Sequence, residues 1–149
     1  GLAYLAISRD QAHSWSSPMM VAAPGVAEVA GPAIAAGATG RVAITYYAST
    51  APGAETLSAY ITQTGDALDS QPLFYSGALN DPRTPIYHDY GLTGGSPRTD
   101  FIGGAYDSPG KRFWAGVVKQ LGPVEGGHIP TVGYVGALRF SSLTPTSLP

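Results

Sequence analysis

The sequence predicts an all-β chain built from repeated antiparallel sheets. Three observations carry the prediction. No segment shows a capped helical period, whereas several short runs are rich in Val, Ile, Thr and Tyr. Glycine (20) and proline (13) are abundant, which calls for many turns. The chain also repeats itself: Ile7-Ser8 and Pro18-Met19-Met20 overlay Ile61-Thr62 and Pro72-Leu73-Phe74 without gaps, an offset of 54 residues from position 7 to position 61.

The elements follow in order. Leu2–Ser8 and Pro18–Val21 read as strands joined by a polar hairpin loop. Ala22–Ala30 reads as a connection and Pro32–Ala36 as a strand. After a turn at Gly37–Gly40 comes a strong strand, Arg41–Ala48. Ser49–Thr56 is a loop, and Leu57–Thr62 and Pro72–Ala78 are strands. Asn80–Arg98 is a long polar segment. Asp100–Ala105, Lys111–Gln120 and Thr131–Phe140 are the last strands, with a turn at Asp107-Ser108-Pro109-Gly110 and a loop at Leu121–Pro130. Ser141–Pro149 is Ser/Thr/Pro-rich and reads as a tail or linker.

A second, separate resemblance lies farther along the chain. Gly40-Arg41-Val42-Ala43 is similar to Gly110-Lys111-Arg112-Phe113, an offset of 70 from position 40 to position 110. The excess over 54 falls in Asn80–Arg98. Repeats of roughly 40–50 residues with about four strands each indicate propeller blades. The expected division is a partial blade over 1–26, a full blade over 27–79, an inter-blade insertion over 80–98, a three-stranded blade over 99–140 and a tail over 141–149. This is a β-propeller fragment of about two and a half four-stranded blades. Its exposed sheet edges call for the remaining blades of the same propeller or for a partner chain.

Composition narrows the partners. The chain has 149 residues, a net charge of −2 and only 12% charged residues, so it carries no electrostatic footprint for nucleic acid. It has no cysteine, hence no disulfide framework and no thiolate metal site. No apolar run reaches the ~18 residues of a membrane-spanning helix. The sequence starts at Gly1, almost at once in a strand and with no visible signal peptide, and reads as a piece of a longer or processed chain.

The hairpin loop Ser8-Arg9-Asp10-Gln11-Ala12-His13-Ser14-Trp15 has the residue types of a tight, self-bonded turn. Asp10 accepts backbone N–H groups, Ser8 and Ser14 assist, and Trp15 is expected to fold back over the hairpin, burying on the order of 150–250 Å². The pattern Ser-x-Asp-x-x-x-Ser-Trp resembles the Asp box of bacterial neuraminidase repeats, found in sialidase-like β-propellers. The usual box has Gly where Ala12 stands. In the ungapped second copy Thr64 replaces Asp10 and Asp69 replaces Trp15.

In a meandering blade, successive turns alternate between two faces. The box lies on one face, and the resemblance places the site on the other. That face receives Ala22–Ala30, Ser49–Thr56, Asn80–Arg98 and Leu121–Pro130, with Glu28, Glu55, Arg83, Tyr87, His88, Asp89, Tyr90, Arg98, Asp100, Glu125 and His128. Arg83 and Arg98 suit a carboxylate, since guanidinium pairs with it bidentately. Tyr87 and Tyr90 suit stacking on sugar rings, and Asp100 and Glu125 complete the expected substrate-binding set. Ser8, Asp10, Ser14 and Trp15 are expected to be structural.

The resemblance implies a secreted or cell-surface protein that binds or hydrolyses glycans. Any catalysis would be sialidase-type glycoside hydrolysis, which uses three arginines, a tyrosine nucleophile with a glutamate partner, and an aspartate acid/base. The amino-terminal Arg-Ile-Pro motif is absent. Tyr75-Ser76 is similar to the nucleophile's surroundings but sits at the end of an outer strand, so no catalytic residue is assigned. No cofactor is implied. Calcium is the one ion with candidate oxygen ligands, at Asp66 with Asp69 and at Asp107 with Ser108. The alternatives are a non-catalytic propeller scaffold for protein interaction and an independent β-sandwich.

Overall fold

The structure, a computed structural model, describes residues 1–88, 102–108, 112–123, 125–126, 128–139 and 144–145. Ten strands form: β1 (Tyr4–Leu5), β2 (Met19–Met20), β3 (Glu28–Ala36), β4 (Val42–Ser49), β5 (Ser58–Thr64), β6 (Tyr75–Ala78), β7 (Gly103–Tyr106), β8 (Arg112–Gln120), β9 (Thr131–Arg139) and β10 (Thr144–Pro145). There is no helix among the described residues, and none therefore that is long and apolar enough to cross a membrane. The strands make three antiparallel sheets: a first sheet β1-β2, a central sheet β10-β6-β5-β4-β3, and a third sheet β7-β8-β9.

The two middle strands of the central sheet, β4 and β5, are buried on both faces, which explains why they read as near-continuous runs of Val, Ile, Thr, Tyr and Ala. One face carries Ile44, Tyr46, Ala48 and Tyr60 and packs against Ala3, Leu5, Met19 and Val21 of the first sheet. Tyr46 and Tyr60 stack there, with ring centroids 5.8 Å apart. The other face carries Ala43, Tyr47, Ala59 and Ile61 and meets Phe113, Ala115 and Val117 of β8. Burying side chains of this size contributes on the order of 1.5–3 kcal/mol each before conformational entropy is charged against it.

Three sheets therefore stack face to face in chain order. The central and third sheets approach at β3 and β7. Gly37, beside the end of β3, lies so close to β7 that a Cβ there would sit 2.7 Å from the Tyr106 ring. Tyr47 closes the same interface from β4. Its hydroxyl accepts the Val118 N–H at 2.6 Å and donates to the Val118 carbonyl at 3.3 Å. Farther out, the Tyr134 hydroxyl donates to the Leu79 carbonyl at 3.2 Å.

Three details depart from the sequence expectation. β3 starts at Glu28, inside the segment read as a connection, because the ladder bulges between Ala30 and Ala33. Gly31 takes φ 55° and Pro32 supplies no N–H, so the bulge lets the strand pass a Gly-Pro pair that would otherwise end it. Thr144–Pro145, read as tail, pairs with β6 and covers that edge of the central sheet. Trp15 does not fold over its hairpin: it is 62% exposed.

Candidate functional site

The Ser8–Trp15 turn is knotted by Asp10. Its Oδ1 accepts the Ser8 hydroxyl at 2.9 Å and the Ser14 N–H at 2.9 Å, and its Oδ2 accepts the Ser14 hydroxyl at 2.6 Å. These bonds, the Ser14 hydroxyl first, hold the carboxyl below the ordinary aspartate range. Gln11 and Ala12 adopt the left-handed conformation, φ 58° and 70°, where glycine fits without Cβ strain.

A second turn of the same kind joins β5 to β6. The Thr64 hydroxyl donates to Asp66 Oδ1, which also accepts the Leu73 N–H at 3.1 Å, and the Asp66 N–H reaches Thr64 Oγ1 at 3.2 Å. Ser8 and Thr64, Asp10 and Asp66 play matching parts. The ungapped repeat set Thr64 opposite Asp10, but the hydrogen bonds pair Asp66 with it, two residues farther on. A Ser/Thr-x-Asp pattern at the end of each strand was the signal that would have found it. Arg9 ties the two turns together, donating through Nη2 to the carbonyls of Leu68 (2.6 Å) and Asp69 (3.1 Å).

The opposite ends of the strands carry the β4–β5 loop and the Asn80–His88 segment. Between them lies a cleft of about 140 Å³, lined by Ser49, Thr50, Thr56, Ser58, Tyr60, Pro82 and Pro85 among others. Asn80 builds one wall: its Oδ1 accepts the Ala59 N–H at 2.9 Å, and its Nδ2 donates to Ser58 Oγ, Asp81 O and Thr84 O at 3.0–3.1 Å. Ser49 donates to the Ala51 carbonyl at 2.7 Å and shapes the opposite wall. Tyr60 is buried, and burial raises its phenol above the usual range, so it stays a neutral hydroxyl. The described lining is hydroxyl-rich and includes no carboxylate.

The predicted site residues divide as follows. Arg83 is exposed beside Pro82, and its guanidinium is occupied by Asp81, with Nη2–Oδ2 at 2.7 Å and Nε–Oδ1 at 3.0 Å. Tyr87 is a core residue. It is fully buried, meets Tyr47 edge-on at 6.3 Å, and belongs to a strap in which Leu57 N–H bonds the Tyr87 carbonyl, Gln120 N–H bonds the Ile86 carbonyl and His88 N–H bonds Gln120 Oε1. A sugar ring has no access to it. Glu125 is exposed in a tight turn closed on His128, with Gly126 at φ 56°. Tyr90, Arg98 and Asp100 lie outside the described residues, as does Asp89. No group of three or more His, Cys, Asp or Glu residues suited to a metal assembles among the described residues. Asp66 Oδ1 and Asp107 Oδ1 instead accept turn N–H groups, from Leu73 and from Arg112.

Comparison of the chain with known protein families, curated sequences and solved structures finds no match.

Proposed function

We propose that this chain is part of a secreted, sialidase-like β-propeller and that it binds glycan on the face opposite the two Asp turns. The cleft between the β4–β5 loop and Asn80–Pro85 is the observation that carries the binding proposal. Ser49, Thr50, Thr56 and Ser58 line it beside Pro82 and Pro85, a hydroxyl-bearing wall with an apolar patch suited to a sugar unit. Support for the propeller comes from two matching turns at corresponding hairpins, and from three sheets stacked in chain order. The reading is limited to binding, since among the described residues the cleft lining carries no carboxylate and Arg83 is paired with Asp81.

Calorimetric titration with neutral and sialylated oligosaccharides tests this. Thr56 is exposed at the cleft, so Thr56→Tyr fills it without touching the core. It should weaken binding at least about tenfold, ~1.4 kcal/mol, with no change in melting temperature. Equal affinity in variant and wild type, or no glycan bound by wild type, would sink the proposal. A second reading, a scaffold for protein interaction, is favoured by the exposed apolar outer face of the third sheet, where Trp114 and Val135 lie open.

A further inference from the structure

We propose that the outer face of the third sheet and the open flank of β1 are the two halves of one head-to-tail interface between copies of this chain. The inference rests on sheet geometry alone and stands apart from glycan binding.

The first half is the side of β8 and β9 turned away from the central sheet. Trp114, Gly116 and Val118 of β8 register with Ala137, Val135 and Gly133 of β9. That face is free of charge along this stretch, with Trp114 43% and Val135 67% exposed. Patches of this kind on a folded surface mark interaction sites.

The second half lies beside β1. The first sheet has two strands and covers the central sheet over β4, β5, β6 and Val29 at the start of β3, leaving Pro32 and Ile34 farther along β3 open; Ile34 is 61% and Tyr4 60% exposed. Ala3, Tyr4, Leu5, Ile34 and Ile44 line a groove of about 210 Å³ there. The groove also has a hydrogen-bonding wall. The Ala3 carbonyl accepts from Val21 and the Ile7 carbonyl from Ser16, so alternate residues of this strand face β2. Tyr4 and Ala6 consequently turn N–H and C=O the other way, where no strand of the described residues lies. Unpaired edge groups of this kind are satisfied by another strand.

The third sheet of a second copy answers both needs. Among the described residues its β9 has a neighbour on one side only. Set beside β1, it makes one sheet of five strands, the number in the central sheet. The same placement lays the Trp114–Val135 face over Ile34, as the central sheet's other face is already covered by a third sheet. The patches differ, so the contact is heterologous and propagates into a ring or filament.

Sedimentation of the 149-residue chain at about 100 μM, well above a ~1 μM dissociation constant, tests the proposal. Wild type should exceed the monomer mass at least twofold. Val135→Glu and Ile34→Lys change exposed side chains and should each give folded monomer, checked by circular dichroism. Mixing the two variants should restore a one-to-one dimer, because each retains one intact half. Wild-type monomer overturns the proposal, and so does failure of the folded variants to associate on mixing. Either result would leave the glycan titration unaffected.

Discussion

Tyr46 holds the buried polar relay that joins the first sheet to the central one, and its hydroxyl is the place to test that joint. Oη accepts the Ala23 N–H at 2.8 Å and shares a hydrogen bond with Thr62 Oγ1 at 2.9 Å, and Thr62 meets Ser76 Oγ at 2.7 Å. All four residues are buried. Burial pushes the phenol up, so it remains protonated at neutral pH and the relay stays intact. Tyr46→Phe keeps the ring stack with Tyr60 and removes only the oxygen. The Ala23 N–H is then orphaned, and an unsatisfied buried donor costs ~1–3 kcal/mol. At about 2–4 °C per kcal/mol for a chain of this size, the melting temperature should fall by ~4–8 °C around the central value. Thr62→Val supplies the control. Its cost in the Tyr46→Phe background should be smaller than in wild type by at least ~0.5 kcal/mol, as expected for neighbours in one network. Thermal and urea melts of the four proteins measure this. Tyr46→Phe losing less than ~0.5 kcal/mol, or the two substitutions adding independently, would refute the relay.

Three further outcomes are expected. Asp10 has a depressed carboxyl pKa in the fold, so its stabilisation is complete above the ordinary value of 3.8 and is lost as pH falls through the lower folded value; calorimetry should show the gap between wild type and Asp10→Ala constant at neutral pH and closing below pH 3.8. Ala12 sits at φ 70°, so Ala12→Gly should raise stability by about 0.5 kcal/mol, the left-handed strain relieved less the entropy glycine loses on folding. The Tyr106 oxygen is buried without a hydrogen-bond partner among the described residues, and burial pushes the phenol up to about 12. Tyr106→Phe should therefore be neutral to ~1 kcal/mol stabilising at pH 7. Wild type should also lose stability relative to this variant as pH rises from about 10 toward 12, since the unfolded phenol ionises first; an unchanged difference across that range would count against the burial.

The all-β, antiparallel character was legible because its signals are local: hairpin turns at Gly37–Gly40, β-branched and aromatic runs such as Val42–Ser49, and no helical period. Asp10 was legible for the same reason, as its partners Ser8 and Ser14 lie within four residues. What escaped depends on long-range packing. Tyr87 sits in a polar-looking segment, yet its burial comes from Tyr47, 40 positions before it, and from Gln120, 33 positions after it. The Gly31-Pro32 pair reads as a breaker, and only the partner strand β4 turns it into a bulge. Thr144–Pro145 gains its strand from the free edge of β6, which no local pattern announces. Asp66 was hidden by an ungapped alignment, since its turn is two residues out of step. In the cleft, Asn80 was counted only as the start of a polar segment; its part as the anchor of one wall needs Ser58 and Ala59 beside it in space.

The most direct test of the account is a map of amide chemical shifts on the isotopically labelled chain during titration with neutral and sialylated oligosaccharides. Saturable shifts should gather at Thr50, Thr56, Ser58 and Asn80–Thr84, around the cleft, and leave Ser8–Ser14 unmoved. Shifts centred on the Asp10 turn, or none at saturating sugar, would contradict it.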